Sequence, residues 1–92
     1  MYIKVPNNSA ENLPFNVAHY TNAIVPGFIM TPTFAKKYDD VYLQKAIEKV
    51  PIERLGTPED VANLACFLAM PGSSYITGQC LIVDGGLSIY GL

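Results

Sequence analysis

The sequence has little charge, a single histidine and no long apolar run, and each shortage excludes a class of protein. Only 15% of the 92 residues are charged, the net charge is −2 and no basic cluster occurs. We therefore expect no nucleic-acid partner and no binding to an anionic membrane surface. No apolar run approaches the roughly 18 residues of a membrane helix. The start of the chain lacks the pattern of a secretory signal, which predicts a cytoplasmic location.

Cysteine and metal-binding residues are equally scarce. The two cysteines are Cys66, in a helical pattern, and Cys80, in a strand pattern. Two cysteines without a secretory signal make a poor disulfide framework, so we predict two buried free thiols. His19 lies near no cysteine or carboxylate cluster. Since no spacing typical of metal ligands occurs, no metal site is predicted.

Apolar residues make up 50% of the chain, too many for a disordered protein. Short continuous apolar runs at Ala23–Val25 and Cys80–Val83 are typical of parallel strands covered on both faces. Helical spacing covers residues 33–50, as one helix or two, and Thr57–Ala69, which Thr57 can cap. The order strand, helix, strand indicates an α/β fold with a right-handed crossover.

The first 20 residues show no clear periodicity. Turn-forming residues are frequent there, and Pro6 and Pro14 interrupt any helix. We predict an irregular segment over residues 1–20, with at most a short extended piece at Tyr2–Val5.

Three sequence blocks occur in order along the rest of the chain. They are NAIVPGFIMT at residues 22–31, RLGTPEDVA at 54–62 and YITGQCLIVDGG at 75–86. With this spacing, residues 21–92 resemble the C-terminal portion of the short-chain dehydrogenase/reductase (SDR) family. The resemblance implies a partial Rossmann-type fold, the C-terminal βαβ piece of a doubly wound parallel sheet. It also implies oxidation or reduction of alcohol and carbonyl substrates with NAD or NADP.

In that family the loop after the first of these strands binds the cofactor. The resemblance implies that Pro26 and Gly27 lie beside the nicotinamide. It further implies that the backbone of Ile29 contacts the carboxamide and that the Thr31 hydroxyl reaches the carboxamide or the pyrophosphate. The alternative is a plain strand-to-helix turn at Pro26 and Gly27 with a local helix cap at Thr31. Cofactor binding by this chain alone stays open between these two interpretations.

The family's catalytic pair, a tyrosine followed four residues later by a lysine, is absent. The residues four positions after Tyr2, Tyr20, Tyr38, Tyr42 and Tyr75 are Pro6, Ile24, Tyr42, Ala46 and Gln79. A tyrosine with a pKa near 10 needs that cation to work near neutral pH. The glycine-rich pyrophosphate loop is absent as well. No catalytic residue is assigned, and the chain is interpreted as a truncated SDR-like oxidoreductase that is inactive alone.

Two further questions remain open at this level. Tyr38 and Tyr42, four residues apart, either line an apolar substrate pocket or pack in the core. The strand at Ala23–Val25 has a second edge for which the chain offers no parallel neighbour, and an exposed edge is a template for association. We therefore expect a homo-oligomer or association with an SDR-like partner. The alternative function is a non-catalytic interaction module that docks on full-length relatives.

Overall fold

The computed structural model describes residues 1–6 and 19–89, which form one three-stranded sheet and three helices. The strands are β1 (Tyr2–Pro6), β2 (His19–Pro26) and β3 (Cys80–Val83), in the spatial order β1-β2-β3. The helices α1 (Pro32–Lys37), α2 (Asp40–Lys49) and α3 (Pro58–Ala69) all lie between β2 and β3 in the chain. Within the described ranges, no helix has the length and apolarity needed to cross a membrane.

Strands β2 and β3 are parallel, with Ala23 opposite Cys80 and Pro26 opposite Val83. This pairing confirms the α/β arrangement. The region after β2 forms two helices rather than one, because Asp39 caps a new helix. Its carboxylate accepts a hydrogen bond from the Tyr42 N–H at 2.8 Å, which satisfies a donor at the start of α2.

The core lies on one side of the sheet. Helix α3 packs on β1 and β2, and Ile24 of β2 and Leu68 of α3 are 1% and 0% exposed. Burying a side chain of this size contributes about 1.5–3 kcal/mol to stability. Ala46, Val50 and Leu55 are the other buried apolar residues among those whose exposure the structure describes. One well-packed helix face therefore provides most of the packing on the sheet.

The prediction of two buried thiols is wrong in one respect. Cys66 and Cys80 are both free, but both are exposed. Cys66 lies on α3 two residues from Leu64 and Leu68, and so on the side of the helix turned away from the sheet. Cys80 lies on the outward face of β3, where exposure alternates along the strand. Burial depends on which face a neighbouring element covers, and the strand pattern alone does not specify that face.

The second edge of β2 is not exposed, contrary to expectation. Strand β1 pairs with it in antiparallel orientation, with Tyr2 opposite Ala23 and Pro6 opposite His19. The short extended piece anticipated at Tyr2–Val5 is therefore a sheet strand, and β2 begins at His19, earlier than predicted. The irregular structure expected over residues 7–18 lies outside the described residues, so the division of the chain at residue 20 stays a prediction.

The start of α3 is fixed by a reciprocal cap. The Asp60 N–H donates to the Thr57 hydroxyl oxygen at 3.2 Å, and the Thr57 N–H donates to the Asp60 carboxylate at 2.8 Å. Pro58 occupies the first turn, where its missing N–H costs nothing. Two of the donors that a helix start leaves without partners are thereby satisfied.

We expect Thr57→Ala to lower the free energy of unfolding by about 1 kcal/mol, because a helix-cap acceptor is lost. Thr57→Ser keeps the hydroxyl and should retain most of the stability. Urea unfolding followed by far-UV circular dichroism measures both. Equal stability of the alanine and serine variants would contradict a capping role for the hydroxyl.

Candidate functional site

The candidate site is the loop that follows β2 at the carboxyl edge of the sheet. The four predicted residues lie along it: Pro26 ends β2, Gly27 and Ile29 follow, and Thr31 caps α1. Ligands of open α/β sheets bind in the crevice outside the carboxyl ends of the strands. The loop therefore lies where a ligand of such a sheet is expected.

Gly27 allows the loop to pass close to the end of β3. Its N–H donates to the Val83 carbonyl at 3.1 Å. A Cβ atom at this position would lie 2.6 Å from Asp84 Cβ and 2.9 Å from Asp84 Cα. Since the nearest atoms belong to or adjoin the backbone, they cannot move aside cheaply. The glycine is thus required by close approach of two chain segments.

A second close approach holds the loop from the other side. Ile29 and Gly56 form an isolated parallel bridge, in which the Gly56 N–H donates to Phe28 O and Met30 N–H donates to Gly56 O, each at 2.8 Å. A Cβ on Gly56 would lie 2.6 Å from Ile29 Cδ1. Ile29 Cδ1 is the far end of a flexible side chain and can move aside, so the two hydrogen bonds of Gly56 are what pin the loop to the turn before α3.

This bridge leaves the polar backbone groups of Ile29 directed away from Gly56. In a parallel bridge, one residue forms hydrogen bonds through both its N–H and its C=O, while the residue opposite it forms none within the bridge. Here Gly56 makes both bonds. Across residues 1–6 and 19–89, neither the N–H nor the C=O of Ile29 is hydrogen-bonded to the protein. A donor and an acceptor side by side on a fixed backbone match the needs of a primary amide.

Thr31 acts as a helix cap in this chain. Its hydroxyl oxygen accepts a hydrogen bond from the Phe34 N–H at 3.1 Å and begins α1. The hydroxyl keeps its own proton to donate. The local cap and a contact to a ligand oxygen are therefore compatible, and the cofactor roles of Pro26, Gly27, Ile29 and Thr31 stay predictions.

The Asp60 carboxylate organises the turn that pins the loop. Arg54 donates to both of its oxygens, at 2.8 and 3.2 Å, while Thr57 N–H donates to one of them. The Arg54 hydrogen bonds and the Thr57 backbone hold the pKa of the Asp60 carboxyl well below its usual range. The charged form is thus favoured throughout the neutral and mildly acidic range.

The end of β3 closes in a similar way. The Asp84 carboxylate accepts hydrogen bonds from Ser88 N–H at 2.7 Å and Gly86 N–H at 2.9 Å. These backbone donors, that of Ser88 first, lower the pKa of Asp84. The Asp84-Gly85-Gly86 segment thus follows directly on the end of β3.

A cavity of about 170 Å³ lies beside the loop, lined in part by Ile29, Arg54, Gly56, Val83 and Asp84. Sites that enclose a whole small-molecule ligand usually measure about 300–1,000 Å³. This cavity is therefore smaller than a site that encloses a whole ligand.

Four aromatic rings extend from the loop into the helices. The centroid distances are 6.2 Å for Phe28 to Phe34, 4.8 Å for Phe34 to Tyr38 and 4.1 Å for Tyr38 to Tyr42. Tyr42 is 42% exposed and, with Phe28, Lys45, Ala46 and Lys49, lines a second cavity of about 410 Å³. Of the two tyrosines left open by the sequence, Tyr42 is thus a groove residue rather than a core residue.

Sequence reasoning missed the role of Asn22. This side chain is 2% exposed; its amide donates to Ile76 O and its carbonyl oxygen accepts from Gln79 N–H, both at 3.1 Å. It anchors the segment before β3 to β2 and so aligns the two strands that carry the site. The only signal in the sequence was a polar residue at the head of an apolar strand.

Two parallel strands joined through helices, with a loop at their carboxyl edge, define the class as an α/β fold of Rossmann type. A family model described as enoyl-(acyl carrier protein) reductase matches residues 19–88. The chain belongs to the short-chain dehydrogenase/reductase family.

Relatives of known sequence agree with this assignment. A tropinone reductase homolog of Arabidopsis thaliana is 47% identical over 70 residues, which are 76% of this chain and 26% of the relative. The 3-oxoacyl-[acyl-carrier-protein] reductase FabG of Thermotoga maritima is 46% identical over 68 residues, 74% of this chain and 27% of the relative. The chain thus spans about a quarter of the length of the curated relatives that it matches.

Solved structures give the same result for the fold. A short-chain dehydrogenase/reductase described as glucose/ribitol dehydrogenase, from Brucella melitensis, matches with a TM-score of 0.70 at 28% identity. The match covers 86% of this chain and 31% of that chain. A gluconate 5-dehydrogenase from Burkholderia cenocepacia J2315, in complex with NADP and tartrate, matches with a TM-score of 0.68 at 30% identity, over 76% of this chain and 28% of that chain.

We expect Gly27→Ala to lower the free energy of unfolding by about 1–3 kcal/mol, the usual cost of forcing extra atoms into a packed contact. Gly72→Ala is the matched control, since its nearest neighbour would be Phe67 Cε2 at an ordinary 3.8 Å. Urea unfolding of the two variants measures the difference. If both variants unfold alike, the close approach to Asp84 is not a constraint.

The lowered pKa of Asp60 predicts a pH-dependent stability. A carboxyl with a depressed folded-state pKa stabilises the fold above its unfolded value, about 3.9, and loses that effect as the pH falls through the folded value. The difference in melting temperature between the parent chain and Asp60→Asn should therefore be largest near neutral pH. It should begin to shrink as the pH falls below about 4. Asp40→Asn controls for the loss of one negative charge. A gap that stays constant with pH would contradict this role of the carboxylate.

Proposed function

We propose that this chain is the cofactor-loop and substrate-side portion of an NAD(P)-dependent SDR oxidoreductase and that it does not catalyse hydride transfer by itself. The observation that carries the proposal is the Ile29 backbone. Its N–H and C=O lie side by side, are fixed by the Gly56 bridge and point away from it. A nicotinamide carboxamide needs such a donor and acceptor pair.

The sequence supports inactivity of the isolated chain. No tyrosine is followed four residues later by a lysine, and no glycine-rich loop occurs in the 92 residues. The hydride itself would be carried by the nicotinamide cofactor. The residues of this chain would orient the carboxamide through Ile29, support the loop through Gly27 and Gly56, and donate a hydrogen bond from Thr31.

The relatives support NAD(P) as the cofactor class, because one matching solved structure is described in complex with NADP. In a Rossmann fold the choice between NAD and NADP is made by residues of the N-terminal half, outside the matched residues. The groove beside Phe28 and Tyr42, which Lys45, Glu48 and Lys49 also line, would form a wall on the substrate side. A cytoplasmic location is part of the same proposal.

A second candidate function, an interaction module, is favoured by the open face of the sheet. Tyr2, Val25 and Ile82 share that face through their strand pairing and are 79%, 43% and 56% exposed. An apolar sheet face of this kind is normally covered by another element. Size-exclusion chromatography with the full-length Arabidopsis relative tests this function, and absence of co-migration at micromolar concentration would remove it.

The cofactor proposal predicts a difference between the isolated chain and a chimera. In the chimera, residues 19–88 replace the matching segment of the Thermotoga reductase, which supplies the missing motifs. Calorimetric titration with NAD(H) and NADP(H) should give saturable binding for the chimera, and an assay of nicotinamide absorbance should show no turnover by the isolated chain. In the chimera, Thr31→Val should weaken cofactor binding about tenfold, as for one lost hydrogen bond, while Thr31→Ser keeps both cap and donor.

Two outcomes would count against this proposal. Turnover by the isolated chain would show that the missing motifs are not needed. A chimera that folds, as judged by circular dichroism and light scattering, yet binds no cofactor would remove the role of the loop. Unfolding of Thr31→Val and Thr31→Ser is measured alongside, so that loss of the α1 cap is separated from loss of the contact.

A further inference from the structure

Strand β1 lies outside the family match, which begins at residue 19, yet it pairs with residues 19–23 of β2. The five residue pairs run from Tyr2 opposite Ala23 to Pro6 opposite His19. This pairing is antiparallel, whereas β2 and β3 are parallel. A segment foreign to the matched region thus covers an edge of the matched sheet.

The β2 edge lacks the features that normally protect an exposed strand. Residues 19–25 contain no lysine, arginine, aspartate, glutamate or proline, Pro26 being the last residue of the strand, and the strand is eight residues long. Long uncharged edges pair readily with other strands, while lysine, proline and short length discourage pairing. Strand β1 has five residues and includes Lys4 and Pro6. Strand β1 therefore replaces the unprotected β2 edge of the sheet with a protected edge of its own.

None of the β1 side chains whose exposure the structure describes, residues 2–4, is fully buried. Tyr2 is 79% exposed, Lys4 is exposed and Ile3 is half-buried, whereas Ile24 in β2 is 1% exposed. The backbone ladder with β2 and a contact with α3 hold the strand in place. Elements with little buried apolar surface open at low cost, which favours release of β1.

We propose that β1 is a releasable cover of the β2 edge and that the uncovered edge pairs with the same edge of a second copy of this chain. The groups that face β1 come from alternate residues, because Met1 and Ile24 exchange hydrogen bonds and such pairs alternate in an antiparallel ladder. The β2 backbone groups that face β1 are therefore the N–H and C=O of Tyr20, Asn22 and Ile24. Two such edges pair antiparallel about a twofold axis at Asn22, with Tyr20 opposite the second copy's Ile24, and the contact closes as a dimer.

The alternation provides a matched pair of variants. The Ile3 N–H faces β2, so Ile3→Pro removes a ladder donor, whereas the Lys4 N–H faces outward, so Lys4→Pro leaves the ladder intact. Light scattering under reducing conditions, required by the exposed Cys66 and Cys80, measures the mass against concentration. We expect Ile3→Pro to dimerise at a concentration about tenfold below that of the parent chain, the factor expected for one or two lost hydrogen bonds. Lys4→Pro should behave like the parent.

A peptide supplies the second measurement. Excess peptide of sequence MYIKVP, residues 1–6, should occupy the vacant edge and return Ile3→Pro to a monomer. A folded Ile3→Pro variant that dimerises no more readily than the parent overturns the proposal, as does equal dimerisation of Lys4→Pro. If circular dichroism shows that Ile3→Pro is unfolded, the proposal is tested instead by uptake of labelled peptide by the parent chain. Uptake of labelled MYIKVP, and not of the same peptide carrying Ile3→Pro, supports a releasable cover, and no uptake overturns it.

Discussion

The carboxylate of Asp60 is the constraint on which the geometry of the loop depends. It receives both Arg54 nitrogens and the Thr57 N–H, and so fixes the turn that carries Gly56. Gly56 in turn pairs with the backbone around Ile29. A surface ion pair of this kind adds little stability by itself. Its value here is positional, because it sets where a loop some 30 residues earlier in the chain must lie.

The elements that were predicted correctly are those whose determinants are local. Thr57, Pro58 and Asp60 specify the start of α3 within four residues, and the Pro26-Gly27 pair specifies the end of β2. The cover by β1 could not be predicted in this way. Its pairing joins residue 2 to residue 23, and nothing in the sequence near either position indicates the partner. The exposure of Cys66 and Cys80 has the same origin, since it depends on which faces remain uncovered.

In the candidate site, too, local residues could be identified from the sequence whereas distant contacts could not. The family resemblance identified Pro26, Gly27, Ile29 and Thr31, but the physical reason why Ile29 can offer its backbone groups lies at Gly56. Likewise, the parallel alignment of β2 and β3 depends on the buried amide of Asn22, which spans 54 residues to Ile76. Polar side chains that bridge distant segments leave no periodic signal, because periodicity reports only on which face of one element is apolar.

The antiparallel direction of β1 places its beginning at the carboxyl end of β2. Met1 is opposite Ile24, two residues before Pro26, and therefore about 7 Å along the strand from the point where the loop begins. The terminal amine is thus a neighbour of the candidate site in space. A fluorophore attached to that amine would report on the loop, and an affinity tag fused there would crowd it, whereas a label on the exposed Cys66 would lie on the outer side of α3.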